Sequence, residues 1–188
     1  MDKLRSYISS LVDISQTDLD SVCSNFKKVK LKKLDFFLKQ GDVSEYIIFV
    51  NFGLLRKFAI NDKGQEVTYF FPEVGTLVSS LSIFQPISIS EVSIQAVIDS
   101  ELLIIHRNDL NNIYQKLPKF NIFGRKALET IVVLLEKRIF LLMNYTAEDR
   151  YNIFREENPL VMQHVHLKCL STYLSITPQH LSRIRKYK

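Results

Sequence analysis

The last part of the chain combines polar side chains that can hydrogen-bond to bases with cations that can hold phosphates. Residues 164–188 contain no Asp or Glu, and their five cations equal the formal net charge of +5 of all 188 residues. These cations are Lys168, Arg183, Arg185, Lys186 and Lys188. Clustered positive charge is typical of nucleic-acid-binding segments, because phosphate contacts release counterions. Charge alone leaves one alternative open, a solvated helix whose basic end complements its dipole.

The same segment predicts two short helices joined by a tight turn. Apolar residues recur at helical spacing on both sides of the turn, at Leu167, Leu170, Leu174, Ile176, Leu181 and Ile184. Thr177 is placed to cap the second helix, and Pro178 is suited to its first position. Two helices that meet through a turn of about three or four residues form a helix-turn-helix, whose second helix enters the major groove of DNA.

The N-terminal half of this second helix carries the candidate DNA contacts. If the helix begins at Pro178, the residues that point outward are Gln179, His180, Ser182 and Arg183. A Gln side chain reads adenine and an Arg side chain reads guanine through paired hydrogen bonds, whereas Ser, Lys and backbone amides hold phosphates. The residue types therefore suit an element that lies in a DNA groove.

Upstream, residues 26–106 show the alternation of strands and turns of a compact all-β unit. Short runs rich in Val, Ile, Phe and Tyr are separated by turn signals about 8–12 residues apart. The turn signals are Gly41-Asp42, Asn51-Phe52-Gly53, Asn61-Asp62-Lys63-Gly64, Val74-Gly75 and Asp99-Ser100. Helical patterns flank this unit, over the first 25 residues and from Asn108 or Asp109 to Leu117. Pro118 can open the next helix.

A long helix is predicted over residues 120–145. Its apolar stripe consists of Leu128, Ile131, Val132, Leu135, Ile139, Leu142 and Met143, at steps of three and four residues. A helix of about 25 residues is about 38 Å long, which exceeds the size of a domain of about 100 residues. We therefore expect a second copy of the chain to cover the stripe. Thr146 then caps a helix that runs to about Glu157, so we expect a tight connection near residue 146.

Composition and motifs exclude several classes of protein. The hydrophobic content of 46% and the charged content of 24% are those of a globular protein. No apolar run approaches the ~20 residues of a membrane span, and no secretory signal is present, so we expect a cytoplasmic protein without a membrane partner. Cys23 and Cys169 are too few for an iron-sulfur cluster, and His164 and His166 lack further ligands, so no metal site is expected. No catalytic motif appears, so we expect no enzyme.

Motifs along almost the whole chain are similar to those of one known family. In the C-terminal part they are residues 146–151 (TAEDRY), Asn158-Pro159, residues 170–178 (LSTYLSITP) and residues 181–186 (LSRIRK). Upstream they are Gln40-Gly41-Asp42, residues 49–56 (FVNFGLLR), Gly64-Gln65-Glu66 and residues 93–96 (SIQA). Together these motifs resemble the Crp/Fnr family of transcription regulators. The resemblance implies an α+β fold with a cyclic-nucleotide-binding-like β-roll over residues 1–117, a dimerisation helix over 118–145 and a helix-turn-helix over 146–188.

The resemblance also implies partners and residue roles. The expected partners are double-stranded DNA, a second copy of the chain and RNA polymerase. The match to the family's motif implies that Gln179 and Arg183 contact the DNA bases. The phosphate or flanking contacts become His180, Ser182 and Lys186, and the capping residue Thr177 also belongs to the DNA-binding set. Where the family often has Gly in the turn between the helices, this chain has Ser175, which costs about 1 kcal/mol if the backbone there is left-handed. The 188 residues end just past the second helix, so no β-wing is expected among them.

The predicted β-roll lacks the residues with which family members bind cyclic AMP, a Gly-Glu pair and an Arg-Ser or Arg-Thr pair. The corresponding stretch of this chain runs from residue 74 to residue 91, and residues 64–106 contain no Lys or Arg. An unpaired carboxylate near a buried phosphate costs several kcal/mol, and Glu91 would lie at that position. We therefore expect either an effector other than cyclic AMP or none. The candidate effector-pocket residues are Gly75, Thr76, Ser90, Glu91 and Arg56.

One alternative function remains at this point. The chain could be a β-roll ligand sensor or a dimeric protein-interaction module whose C-terminal helices bind a protein instead of DNA. The two functions differ in their salt dependence, because phosphate contacts give a steep loss of affinity with rising salt.

Overall fold

The fold is an antiparallel β-roll with helices before and after it, as the computed structural model of residues 1–86 and 88–186 shows. The strands are β1 (Lys27–Leu31), β2 (Phe36–Leu38), β3 (Tyr46–Phe52), β4 (Leu55–Ile60), β5 (Glu66–Phe70), β6 (Leu77–Val78), β7 (Ser93–Ala96) and β8 (Ser100–His106). The helices are α1 (Asp2–Leu11), α2 (Gln16–Ser24), α3 (Arg107–Lys116), α4 (Phe120–Asn144), α5 (Ala147–Glu157), α6 (Pro159–His164), α7 (Leu167–Tyr173) and α8 (Pro178–Lys186). A short 3-10 helix, Leu81–Phe84, follows β6.

The strands form two antiparallel sheets that enclose an apolar core. One sheet has the order β1-β8-β3-β6 and the other β2-β7-β4-β5. Alternate residues of these strands point inward, because successive side chains of a strand point to opposite faces. The buried residues between the sheets include Ile48, Val50, Leu55, Ile94 and Leu102. The predicted all-β unit over residues 26–106 is therefore confirmed.

The turn between β3 and β4 requires glycine at position 53. Gly53 has a φ of +103°, and a Cβ there would lie 2.2 Å from the Ser100 Oγ and 2.7 Å from the Ser100 Cα. The same Ser100 hydroxyl accepts a hydrogen bond from the Leu54 backbone N–H at 3.3 Å. The close approach fixes the start of β4 against the start of β8.

A helical layer covers the outer face of the first sheet. Its buried apolar residues come from α1, α2, α3 and the start of α4, and they pack on β3 and β8 through Phe49 and Leu103. The rings of Phe120 and Phe123 stack with centroids 4.7 Å apart, which anchors the first turn of α4. Helix α3 begins at Arg107, one residue before the predicted Asn108, because the His106 Nδ1 caps it by accepting the Asn108 N–H at 3.1 Å.

Helices α5 to α8 form a small bundle that packs against the roll. Thr146 and Asp149 form a reciprocal capping box at the start of α5, which confirms the predicted cap. Only Tyr145 and Thr146 separate α4 from α5, so the expected tight connection is also present. The division of the chain at residues 117 and 145 stays a prediction. No helix within the described ranges is both long and apolar enough to cross a membrane.

Candidate nucleic-acid interface

Helices α7 and α8 form the predicted helix-turn-helix. Helix α8 begins at Pro178, and the Thr177 Oγ1 accepts a hydrogen bond from the His180 backbone N–H at 3.1 Å. This bond satisfies one of the amides that a helix start leaves without a partner. Leu181 and Ile184 are buried, and they pack in one cluster with Leu170 and Leu174. Four of the six apolar residues that predicted the motif therefore hold the two helices together, Ile176 is partly buried against them, and Leu167 is 36% exposed.

Ser175 in the turn adopts left-handed backbone, with a φ of +56°. The condition under which serine was expected to be costly at this position is thus met. The turn is held from α5, because the Arg150 Nε donates a hydrogen bond to the Leu174 carbonyl oxygen at 3.1 Å. The Ile176 backbone N–H also donates to the Ser171 carbonyl oxygen at 3.0 Å.

The outer face of α8 is polar, basic and exposed. The predicted contacts Gln179, His180, Ser182, Arg183 and Lys186 are all exposed, as is Thr177 before them. The helix has no acidic residue in its first turn, and its last turn carries Arg183, Arg185 and Lys186. Within residues 1–86 and 88–186, none of these cations forms an ion pair. Lys188, counted in the basic segment, lies outside the described residues.

An aromatic cluster joins the helix-turn-helix to the β-roll. Phe71 follows β5, Phe154 lies on α5 and Tyr173 ends α7. The ring centroids of Phe71 and Tyr173 are 5.4 Å apart, and those of Phe154 and Tyr173 are 4.8 Å apart. Leu54 of the roll is fully buried in the same cluster. The DNA-binding candidate is therefore packed on the roll of its own chain.

The edge strand β5 is covered by α7. The Thr68 backbone N–H donates to the Thr172 Oγ1 at 3.2 Å, and the two threonine hydroxyls are 3.1 Å apart. The Thr68 hydroxyl also accepts a hydrogen bond from the buried Arg56 Nε at 2.9 Å. An edge strand has backbone groups without a strand partner, and here a threonine of the C-terminal helices satisfies one of them. Sequence reasoning did not predict this contact.

The end of α4 is also bound to the helix-turn-helix. The Arg138 guanidinium donates to the Tyr173 carbonyl oxygen, and its carbon lies 3.9 Å from the centroid of the Tyr173 ring. Burial lowers the pKa of Arg138 from its ordinary value. One residue earlier in the chain, the Lys137 Nζ lies 2.8 Å from the Glu157 Oε1 of α5.

The predicted dimer stripe on α4 is largely uncovered. Leu128, Val132, Leu135 and Ile139 are 43%, 64%, 50% and 57% exposed. Their spacing of four, three and four residues is that of the apolar seam of a coiled coil. Ile131 and Leu142, also predicted for the stripe, are partly buried against their own chain. The stripe therefore has an outer edge that is free to pack against another helix.

Comparison with known proteins identifies the fold. Residues 28–117 match the cyclic nucleotide-binding domain family. FixK2 from Bradyrhizobium japonicum has a TM-score of 0.70 at 17% identity, over 86% of this chain and 83% of that one. CLP from Xanthomonas campestris, a global regulator responsive to c-di-GMP, has a TM-score of 0.69 at 17% identity, over 92% and 91%. A protein from Eubacterium rectale described as a Crp/Fnr-family regulator reaches 0.73 at 18% identity, over 93% and 83%.

The chain has the fold of the Crp/Fnr regulators. The predicted succession of β-roll, long helix and helix-turn-helix is thereby confirmed. No curated protein sequence matches the chain.

Within this Crp/Fnr fold, the predicted effector-pocket residues lie on different segments of the roll. Gly75 (φ +87°) and Thr76 lie in the turn before β6. Ser90 is buried, and its hydroxyl donates to the Val92 carbonyl oxygen at 2.7 Å. Glu91 is exposed.

The fifth predicted pocket residue, Arg56, points toward α7. Its Nη1 lies 2.6 Å from the Glu66 Oε2, and the Thr68 hydroxyl binds its Nε. The β5 side chains therefore hold the guanidinium that was expected near an effector. The assignment of these five residues to a pocket stays a prediction.

The roll of this Crp/Fnr fold contains a cation that sequence reasoning missed. The Lys57 Nζ of β4 donates to the Ser79 carbonyl oxygen at 2.8 Å, and burial lowers the pKa of the ammonium group. Residues 64–106 contain no Lys or Arg, but Lys57, which precedes that segment in the sequence, reaches it in space. Arg107, just after the segment, likewise donates to the Ser88 hydroxyl.

No group of three or more His, Cys, Asp or Glu side chains in the described part of the chain could hold a metal ion. Cys23 is buried and Cys169 is partly buried, and both thiols are free. Burial raises the pKa of both thiols.

Proposed function

We propose that the chain is a dimeric DNA-binding transcription regulator of the Crp/Fnr type, with α8 as the recognition helix. The observation that carries the proposal is that α8 is amphipathic, with one buried apolar face and one exposed basic face. Leu181 and Ile184 fix its inner face, while its outer face presents exposed cations without ion-pair partners in the described residues. The fold, which is shared with regulators such as CLP, supports the same function. Gln179 and Arg183 are the proposed base readers.

The test against a protein-interaction module is the salt dependence of binding to random-sequence DNA. On random-sequence DNA, where Arg183 does not meet its target base, three cations on each of two recognition helices correspond to about six phosphate contacts, for which affinity falls about 10³-fold between about 50 and 200 mM salt. Fluorescence anisotropy of labelled duplex measures this slope. A flat response would contradict the proposal and favour the interaction module.

Within α8, Arg183 and Lys186 provide a matched pair for base and phosphate readout. The target sequence is first selected from a random duplex library. Arg183→Ala is then expected to weaken specific binding by about 1–3 kcal/mol and to relax the preference at one base pair. Lys186→Ala is expected to weaken all sequences uniformly and to reduce the salt slope by about 2, because the dimer loses one phosphate contact in each protomer. An unchanged sequence preference for Arg183→Ala would remove its assigned role.

The dimer proposal can be tested at two neighbouring valines of α4. Val132 and Val133 are 64% and 61% exposed, but only Val132 belongs to the predicted seam. A glutamate in the seam buries a charge, so Val132→Glu is expected to dissociate the dimer. Val133→Glu, with the same chemical change at equal exposure, is expected to leave it intact. Analytical ultracentrifugation measures both, and equal behaviour of the two variants would place the interface elsewhere.

The role of the β-roll is proposed as sensing without cyclic AMP in the family's usual site. Glu91 is exposed, so the proposal rests on Arg56, whose guanidinium is already bound to Glu66 and Thr68. Isothermal titration calorimetry with millimolar cyclic AMP is expected to give no heat of binding. Contact with RNA polymerase and a cytoplasmic location stay predictions.

A further inference from the structure

The guanidinium group of Arg138 joins the long helix α4 to the turn of the helix-turn-helix. It donates a hydrogen bond to the carbonyl oxygen of Tyr173, the last residue of α7, and its central carbon lies 3.9 Å from the centroid of the Tyr173 ring. The Arg138 side chain is partly buried, and within residues 1–86 and 88–186 no ion pair engages it. A cation that leaves water without a carboxylate partner depends on its remaining contacts. The contacts with Tyr173 therefore determine the direction of this side chain.

Two of the carbonyl groups at the end of α7 are bound within the turn itself. The last carbonyl groups of a helix have no partner inside the helix. Here the Ser175 and Ile176 backbone N–H groups donate to the carbonyl oxygens of Thr172 and Ser171 at 3.2 and 3.0 Å. These bonds close the turn, but they do not determine how it is oriented relative to the rest of the molecule.

Two arginines from other helices bind the next two carbonyl groups. Arg138 of α4 donates to the Tyr173 carbonyl oxygen, and the Arg150 Nε of α5 donates to that of Leu174 at 3.1 Å. The Arg150 Nη1 also donates to the Tyr145 carbonyl oxygen at 2.8 Å, in the connection between α4 and α5. Cations near the C-terminal end of a helix interact favourably with its dipole. The turn that leads into α8 is therefore bound to α4 by Arg138 and to the end of α4 through Arg150.

The turn of α4 that carries Arg138 also carries part of the predicted seam. Ile139, the next residue, is 57% exposed and belongs to the seam, as does Leu135, which is 50% exposed. Successive residues of an α-helix point about 100° apart. One turn of α4 can therefore face a second copy of the chain through Ile139 and hold the helix-turn-helix through Arg138.

We infer that Arg138 is a positioning residue that sets the spacing of the two DNA half-sites accepted by the dimer. The inference rests on the proposed function, in which α4 holds two recognition helices together. One additional base pair between the half-sites moves the second half-site by about 3.4 Å along the DNA and rotates it by about 35°. A dimer rejects such a change only if α8 keeps its orientation relative to α4. Arg138 supplies this restraint at the turn that leads into α8.

The test measures how strongly the full chain binds three duplexes that differ only in half-site spacing. One duplex is the selected target, and the other two have one base pair more or one fewer between the half-sites. The wild-type chain is expected to bind these two at least about tenfold more weakly, because the DNA must be deformed to restore the spacing. For Arg138→Met this discrimination is expected to fall below about threefold, because α8 can then turn to meet the displaced half-site. Fluorescence anisotropy measures each affinity.

Lys137→Met is the matched control, one residue away on the same helix. The Lys137 Nζ lies 2.8 Å from the Glu157 Oε1, so this residue also links α4 to α5. The two side chains of the pair are 53% and 49% exposed, and exposed ion pairs contribute little to stability. Lys137→Met is therefore expected to keep the discrimination of the wild type. An equal loss of discrimination in Lys137→Met and Arg138→Met overturns the assignment to Arg138.

The ratio of the affinities separates positioning from a general loss of stability. A helix-turn-helix that is only less stable binds all three duplexes more weakly by the same factor, so the ratio does not change. A ratio for Arg138→Met equal to that of the wild type therefore overturns the inference. A salt slope reduced by about 2 would mean that Arg138 holds a phosphate in each protomer, and this result also overturns the inference.

Circular dichroism first establishes whether Arg138→Met is folded. If it is not, Arg138→Lys replaces it, because lysine keeps the charge but lacks the planar group that stacks on Tyr173. Its discrimination is expected to be at least about threefold lower than that of the wild type, and an equal value overturns the inference. A wild-type chain that binds DNA without preference for a spacing removes this inference alone. A chain that does not bind DNA removes the proposed function.

Discussion

Replacing Ser175 by glycine is expected to stabilise the chain. Ser175 has a φ of +56° in the turn before α8. Left-handed backbone costs a residue with a Cβ about 1–2 kcal/mol, and glycine avoids this cost. Glycine gains conformational freedom in the unfolded chain, which offsets about 0.5–1 kcal/mol. The Ser175 side chain is exposed, and within the described ranges no hydrogen bond engages its hydroxyl. The expected net gain is therefore about 0.5–1 kcal/mol.

Thermal unfolding followed by circular dichroism measures this change. For a chain of this size the gain corresponds to a rise in Tm of about 1–4 °C. Ser9→Gly makes the same substitution at an exposed position inside α1. There glycine has the poorer helix propensity, so the free energy of unfolding is expected to fall by about 0.5 kcal/mol. A Tm of Ser175→Gly at or below that of the wild type would refute the role assigned to the left-handed backbone.

Two further substitutions, each with its own control, test the packing of the roll and the contact of the roll with α7. Gly53→Ala is expected to destabilise by more than about 2 kcal/mol, because the new Cβ meets backbone as well as side-chain atoms of Ser100. Gly41→Ala, also at positive φ but with no atom within 4 Å, is expected to cost only about 1 kcal/mol in urea unfolding. Thr172→Val is expected to cost about 1–3 kcal/mol because the edge of β5 loses its acceptor. Thr130→Val, at an exposed position of α4, is the control and is expected to change the free energy of unfolding by less than about 0.5 kcal/mol. Equal losses of stability for Thr172→Val and Thr130→Val would contradict a role of Thr172 as the hydrogen-bond acceptor for β5.

The helix-turn-helix could be predicted from sequence because its determinants are local. Thr177 and Pro178 fix the start of α8 by their own chemistry, and Leu181 and Ile184 define the buried face by their spacing. The start of α3 was placed late because His106 caps it, and histidine is not among the usual capping residues.

The contacts between distant segments could not be predicted. Thr172 meets Thr68 across 104 positions of sequence, and no periodic pattern records such a pairing. The position of Lys57 could not be predicted either, because the order of the strands in the sheets brings it beside Ser79, which is distant in the sequence. Likewise, the direction of the Arg56 side chain depends on its strand pairing with β5. Local rules gave the elements of the site, and tertiary packing determined which charges lie inside the roll.

The aromatic cluster of Phe71, Phe154 and Tyr173 has a consequence for how the molecule could select its operator. A swing of helices α5 to α8 away from the roll would separate the Phe71 ring from the Phe154 and Tyr173 rings, and exposing a buried Phe side chain costs about 1.5–3 kcal/mol. Gradual flexing between the β-roll and helices α5 to α8 is therefore disfavoured, and the two parts of each protomer move together as one rigid body. In the proposed dimer, the distance between the two DNA half-sites then follows from the angle at which the two protomers meet along α4. A substitution in that seam would change the preferred operator length without touching any residue that reads a base.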